Sequence, residues 1–165
     1  MKRTSLTYAA ATMAALAFAT PTQANDFDGA YVGASVTAGF ALADVVDWEG
    51  SAFIGYNWDF GNNFVLGGEL DLTMNPDSLW VDDATITTLD ARFGYLVSDN
   101  VMVYGRAGGG YTSALGGSYV WDAGAGVEYM LHNGLSIRGE FDRVDPFEAG
   151  MDTQLNGRLG VVMNF

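Results

Sequence analysis

The chain has 165 residues, enough for one domain, and carries 20 Asp and Glu against 7 Lys and Arg, a formal net charge of −13. So acidic a surface excludes nucleic acid as a partner, because phosphate recognition needs clustered Lys and Arg. There is no cysteine, so neither a disulfide framework nor a thiolate metal site is available, while 49% of the residues are hydrophobic and 22 are glycine.

The first element is a targeting segment. Lys2 and Arg3 precede an apolar stretch over 8–19, Pro21 ends it, and Thr22-Gln23-Ala24 places small residues where a signal peptidase cuts. This predicts a signal peptide at 1–24, a mature domain at 25–165, and export through the periplasm. Cleavage removes the only lysine and leaves five arginines against all 20 acids. The stretch is too short to span a bilayer as a helix, and no uncharged apolar run long enough follows Ala24.

From Gly29 onward one rhythm holds. Eight segments alternate apolar with small or polar residues: 29–41, 48–58, 64–74, 84–97, 101–112, 119–131, 135–144 and 153–165. The period of two and the scattered glycines argue against helices. The lengths suit strands that cross a bilayer obliquely. Three connections are tight and rich in Gly, Asn and Asp, at 59–63, 98–100 and 132–134, as hairpin turns require where φ is positive. The other four, at 42–47, 75–83, 113–118 and 145–152, read as longer loops. Short turns alternating with longer loops predict an all-β fold, an eight-stranded antiparallel up-and-down transmembrane barrel with periplasmic turns and external loops.

Each strand presents two faces. The third gives Phe64, Leu66, Gly68, Leu70, Leu72 and Met74 against Val65, Gly67, Glu69, Asp71 and Thr73. The sixth gives Ala123, Ala125, Val127, Tyr129 and Leu131 against Asp122, Gly124, Gly126 and Glu128. The seventh gives Leu135, Ile137, Gly139 and Phe141 against Ser136, Arg138, Glu140 and Asp142. The fourth and eighth divide the same way. Alternation alone also fits a soluble periplasmic ligand-binding barrel with its apolar face inward. The charged face points to the membrane barrel, with the soluble barrel kept as an alternative. It interleaves Arg92, Arg106, Arg138 and Arg158 with Glu69, Asp71, Asp90, Glu128 and Glu140, and holds no lysine. Forked guanidinium groups suit a packed ion-pair network, and buried charge persists only when paired. These nine residues are expected to fill a narrow lumen, with the apolar face in lipid. Aromatic residues form two expected belts at the lipid headgroups: Tyr56, Trp58, Phe64, Phe93, Tyr95, Tyr129 and Phe165 by the turns, and Phe40, Trp48, Trp80, Tyr111, Trp121 and Phe141 towards the loops.

The C-terminal run Arg158-Leu-Gly-Val-Val-Met-Asn-Phe165 resembles the C-terminal signal of outer-membrane barrels, and 28–39 is similar to the first strand of the opacity-type, OmpA-like porin superfamily. The resemblance implies a bacterial outer-membrane location and recognition of Arg158, Gly160, Met163 and Phe165 by the barrel-assembly machinery, after escort by periplasmic chaperones. It implies outer-membrane lipid and lipopolysaccharide as surroundings. The loops are shorter than in the adhesins of that family.

No enzyme is expected. His132, the only histidine, falls in a predicted periplasmic turn with no serine nucleophile beside it. Glu69 with Asp71, and Arg138 with Glu140, read as lumen ion pairs rather than an acid–base pair. Gly108-Gly109-Gly110 lacks the Lys-Ser/Thr of a phosphate loop and reads as a place where a strand bends or packs closely. No cofactor and no metal site are expected. The acidic loop residues Asp44, Asp47, Asp77, Asp82, Asp83, Asp145, Glu148 and Asp152 show no EF-hand spacing, although they could bridge divalent cations to lipopolysaccharide. The functional expectation is a structural or envelope-interaction barrel with a plugged lumen, or alternatively a narrow, weakly cation-selective pore.

Overall fold

The computed structural model describes residues 27–41, 44–74, 85–113, 117–147 and 153–165. They form β1 (Gly29–Ala41), β2 (Asp44–Asp59), β3 (Phe64–Met74), β4 (Thr85–Ser98), β5 (Val101–Thr112), β6 (Ser118–His132), β7 (Leu135–Pro146) and β8 (Gln154–Asn164). Each strand pairs antiparallel with the next, and β1 closes on β8 from Tyr31↔Asn164 to Phe40↔Leu155. Closure removes every sheet edge, so all strands have a hydrogen-bonded neighbour on both sides.

The tight turns follow from residues that tolerate positive φ. Asn133 and Gly134 adopt φ of 51° and 76° between the paired ends His132 and Leu135, which makes a two-residue hairpin. Gly61, Asn62 and Asn63 take φ of 74°, 54° and 70° between β2 and β3.

Two of the expected boundaries are corrected. The loop over 42–47 is mostly strand, because β2 begins at Asp44, which pairs with Ala41. The β-branched Val45 and Val46 suit a ladder, and a register shift between Gly39 and Phe40 accommodates the longer pairing. Asp145 likewise belongs to β7, paired with Trp121, and Pro146 ends the strand where a missing N–H is tolerated. Asp44, Asp47 and Asp145 are therefore not loop acids. His132 closes β6 and is exposed. The predicted signal peptide at 1–24, the loop at 75–83 with Trp80, Asp77, Asp82 and Asp83, and Glu148 and Asp152 lie outside the described residues.

The two faces divide as the alternation predicts. Leu70, Leu89, Phe93, Val127, Phe141, Leu159 and Val161 stand on the outer wall, between 47% and 67% exposed. The turn-end belt packs into aromatic pairs, with Tyr56–Trp58 centroids 4.9 Å apart and Phe64 lying 5.5 Å from Phe93 and 5.1 Å from Tyr95. At the opposite end Tyr111 and Tyr119 meet edge-on at 5.7 Å. Phe141 sits mid-strand rather than at the rim, opposite Ala125 and Gly157.

The inner face is stratified. At the turn end Phe27, Val65, Leu96, Met102, Tyr104 and Met130 form an apolar floor. Asn57 fixes Phe27 there, its amide donating to the Phe27 carbonyl at 3.0 Å. Tyr31, Phe53 and Val162 pack just above. Above them the inner face is mostly polar and charged.

Candidate functional site: an ion-pair network across the lumen

Strand parity delivers the charged groups. Glu69 and Asp71 come from β3, Asp90 and Arg92 from β4, Arg106 from β5, Glu128 from β6, Arg138 and Glu140 from β7, and Arg158 from β8. All point inward. Arg92, Arg138, Glu69 and Glu128 are at most 2% exposed. The structure adds Asp122 of β6 and Asp142 of β7, both buried. Their signal was present in the sequence, since each shares the polar face of its strand. What the sequence did not disclose was that both reach an arginine on another strand.

The middle layer is balanced. Arg138 donates from Nη1 to Glu69 Oε2 at 2.5 Å and from Nη2 to Glu128 Oε2 at 3.1 Å. Because β7 and β3 are opposite walls of an eight-strand barrel, the Arg138–Glu69 bond crosses the whole lumen. Arg92 donates to Glu128 Oε2 at 3.2 Å and lies 3.6 Å from Glu69. The guanidinium groups are stacked on rings, Arg92 4.0 Å from the Tyr104 centroid and Arg138 4.5 Å from that of Phe53, where a cation meets the negative face of the π system. Hydroxyls also bond these carboxylates: Tyr31 donates to Glu69 at 2.8 Å, Ser136 to Glu128 at 2.6 Å and Tyr104 to Glu140 at 2.6 Å. These bonds offset the desolvation that makes buried ion pairs costly.

Nearer the loops the composition shifts. Arg106 donates to Asp90 Oδ2 at 2.6 Å and lies 3.4 Å from Asp122 and 3.5 Å from Glu140. Arg158 donates to Asp71 at 3.0 Å and stands 3.0 Å from Asp142. Thr73, Thr88 and Asn156 donate to Asp71, Asp90 and Asp142 at 2.7, 2.9 and 3.1 Å. Here two arginines face five carboxylates.

Inward glycines make room for this filling. A Cβ on Gly55 would strike the Tyr31 hydroxyl, one on Gly33 the Phe53 ring, and one on Gly126 the Tyr104 hydroxyl and Glu140. Large side chains therefore lie over neighbouring strands that carry none. The Gly108-Gly109-Gly110 run works the same way: Cβ atoms on Gly108 and Gly110 would meet Leu89, Asp90, Thr87 and Thr88 of β4. Close packing, the sequence expectation for this run, is what it provides.

The carboxylate pairs weighed as acid–base candidates are occupied by arginine, Glu69 by Arg138 and Asp71 by Arg158. Of the C-terminal motif, Arg158 and Gly160 face the lumen and Met163 faces out. The Phe165 N–H donates to the Ala30 carbonyl at 2.9 Å, which ties the C-terminus to β1. With charges inside and aliphatic side chains outside, the soluble ligand-binding alternative is overturned, because that barrel needs the reverse arrangement.

The comparisons with known proteins agree. A family profile described as an outer membrane protein beta-barrel domain matches residues 9–165. The 31 kDa outer-membrane immunogenic protein of Brucella melitensis is 25% identical across 70% of this chain, which spans 61% of that relative's length. Among solved structures, Ail, the attachment invasion locus protein of Yersinia pestis, has a TM-score of 0.60 at 16% identity, covering 83% of this chain and 98% of Ail. The N-terminal β-barrel domain of Pseudomonas aeruginosa OprF has a TM-score of 0.58 at 19% identity, covering 82% of this chain and 97% of that domain. At these identities the structural likeness shows the fold alone. The profile match over nearly the whole chain establishes more: the chain belongs to the outer membrane protein β-barrel domain family and is a small barrel of the Gram-negative outer membrane.

Proposed function

We propose that the chain is a structural, envelope-interaction barrel whose lumen does not conduct. One observation carries this reading. The Arg138–Glu69 bond of 2.5 Å joins opposite walls through a layer whose arginines and glutamates are almost fully buried. An ion crossing that layer would have to displace a guanidinium group from two carboxylates and a ring. Eight strands leave an interior that side chains just fill, and here the inward glycines let bulky residues fill it. The same reading makes the protein non-catalytic: His132 is exposed at the turn end, whereas the carboxylates of the network are buried. The outer wall faces lipid and lipopolysaccharide, residues 1–24 direct export and are removed, and Arg158, Gly160, Met163 and Phe165 are read during assembly.

Planar-bilayer recording of the refolded protein tests it. The expected result is a silent bilayer. A second reading, a narrow cation-selective pore, rests on the excess of carboxylates at the loop end, and reproducible cation-selective steps would establish it in place of the first.

A further inference from the structure

The turn-end mouth of the barrel is filled unevenly by its own strands. At that end β3 to β6 send in Val65, Leu96, Met102 and Met130, with Tyr104 next along β5. The inward positions of the other strands there are Gly29 of β1, Asn57 of β2, Ser136 of β7 and Asn164 of β8. A glycine, a serine and two asparagines leave this side of the mouth without an apolar side chain. The missing bulk comes from outside the sheet. Phe27 precedes β1, belongs to no ladder, and is 0% exposed within the apolar floor.

Local features turn the chain inward at this point. Gly29 takes a φ of 115°, and a Cβ there would strike the Phe165 carbonyl oxygen, so the reversal needs glycine. Asn57 donates its amide to the Phe27 carbonyl at 3.0 Å, and inward Gly67 leaves the room that the Asn57 side chain occupies. Asp28 accepts the Asp59 N–H at 2.9 Å. Neither bond belongs to a β-ladder. β1 pairs with β2 from Gly29↔Asn57 and with β8 from Tyr31↔Asn164, so Phe27 and Asp28 can swing away while every strand stays paired.

We propose that Phe27, carried on the turn at Asp28 and Gly29, is a stopper that closes the turn-end mouth and opens as a unit separate from the barrel wall. What it shuts off lies directly above. Ser136 is the register partner of Met130 in the floor and donates to Glu128, which belongs to the buried middle layer. Val162 is the next register partner, opposite Ser136, and is 0% exposed. Water admitted here would raise the dielectric around the Arg138–Glu128 pair and weaken it. The stopper therefore keeps water from the network on the turn side, whether or not the lumen conducts.

The chain has no cysteine, so a single thiol can report the opening. Val162→Cys places one on the inner wall beside Tyr31 and Phe53. In the full barrel refolded in detergent micelles, a charged, water-soluble maleimide should label this thiol slowly. Adding Phe27→Ser should speed labelling about tenfold to a hundredfold, the factor by which burial of one large apolar ring favours a local closed state. Phe27→Leu still fills the mouth and should keep most of the protection. Leu96→Ala removes apolar bulk from a strand of the same floor. It should lower the urea midpoint as Phe27→Ser does, yet leave labelling slow. Heat-modifiability on gels checks that each variant is folded.

The proposal is overturned if Phe27→Ser labels no faster than the Val162→Cys barrel alone. It is equally overturned if Leu96→Ala accelerates labelling as much, or if labelling follows global unfolding in urea, since Phe27 would then be ordinary floor packing. Should Phe27→Ser fail to fold, Asn57→Ala decides: it keeps the ring and removes its tether. Faster labelling there, by a smaller factor, is expected, and an unchanged rate overturns the proposal.

Discussion

The two charged layers of the lumen are built from the same residue types and behave differently. In the middle layer Arg92 and Arg138 face Glu69 and Glu128 in equal number, with tyrosine and serine hydroxyls and ring faces beside them. In the loop-side layer Arg106 and Arg158 meet more carboxylates than they can neutralise, and oxygens of Asp90 and Asp122 are left over. The first layer is a lock between opposite walls. The second holds more carboxylates than guanidinium groups. The difference is one of charge balance, since a buried charge is retained only where an opposite charge offsets its desolvation.

That contrast can be broken most sharply at Arg138. Arg138→Met leaves Glu69 and Glu128 with fewer cations in a sealed layer, and about 3–5 kcal/mol of stability should be lost, as removal of one buried partner generally costs. Urea unfolding in vesicles followed by tryptophan fluorescence measures this. Arg158→Met in the loop-side layer should cost less, about 1.5–3 kcal/mol, because Thr73 and Asn156 continue to bond Asp71 and Asp142. If the two substitutions cost the same, the distinction between the layers fails. Gly126→Ala sharpens the role of the inward glycines: the methyl would displace the Tyr104 hydroxyl from Glu140, an overpacking of about 1–3 kcal/mol. Gly139→Ala on the outer face meets nothing within 4 Å and should change stability by less than about 0.5 kcal/mol. Arg143 makes the smallest contribution. Its side chain is 54% exposed beside Asp145, outside the lumen, so Arg143→Ala should leave heat-modifiability on gels unchanged.

Much of this was legible in the residue order. The runs at 64–74 and 101–112 become β3 and β5 with unchanged limits, because a period of two with turn residues at both ends leaves few other registers. The nine network residues were identifiable because a charge on the inward face can only point into the lumen. The start of β2 was not legible. Asp44 and Asp47 look like loop residues, and only their pairing with Ala41 and Gly39 draws them into the ladder. Asp145 was misplaced for the same reason, its strand identity coming from Trp121 on the neighbouring strand.

By itself, then, the sequence determined the strand count, the alternation and which face carries charge, since these follow from side-chain period and turn chemistry along one stretch of chain. Only the tertiary structure decided who pairs with whom. Barrel closure brings β3 opposite β7 and sets Asp90 and Asp122 on either side of Gly108. Those are distances across the lumen and across neighbouring strands, and the shear of a closed sheet sets them rather than any local pattern.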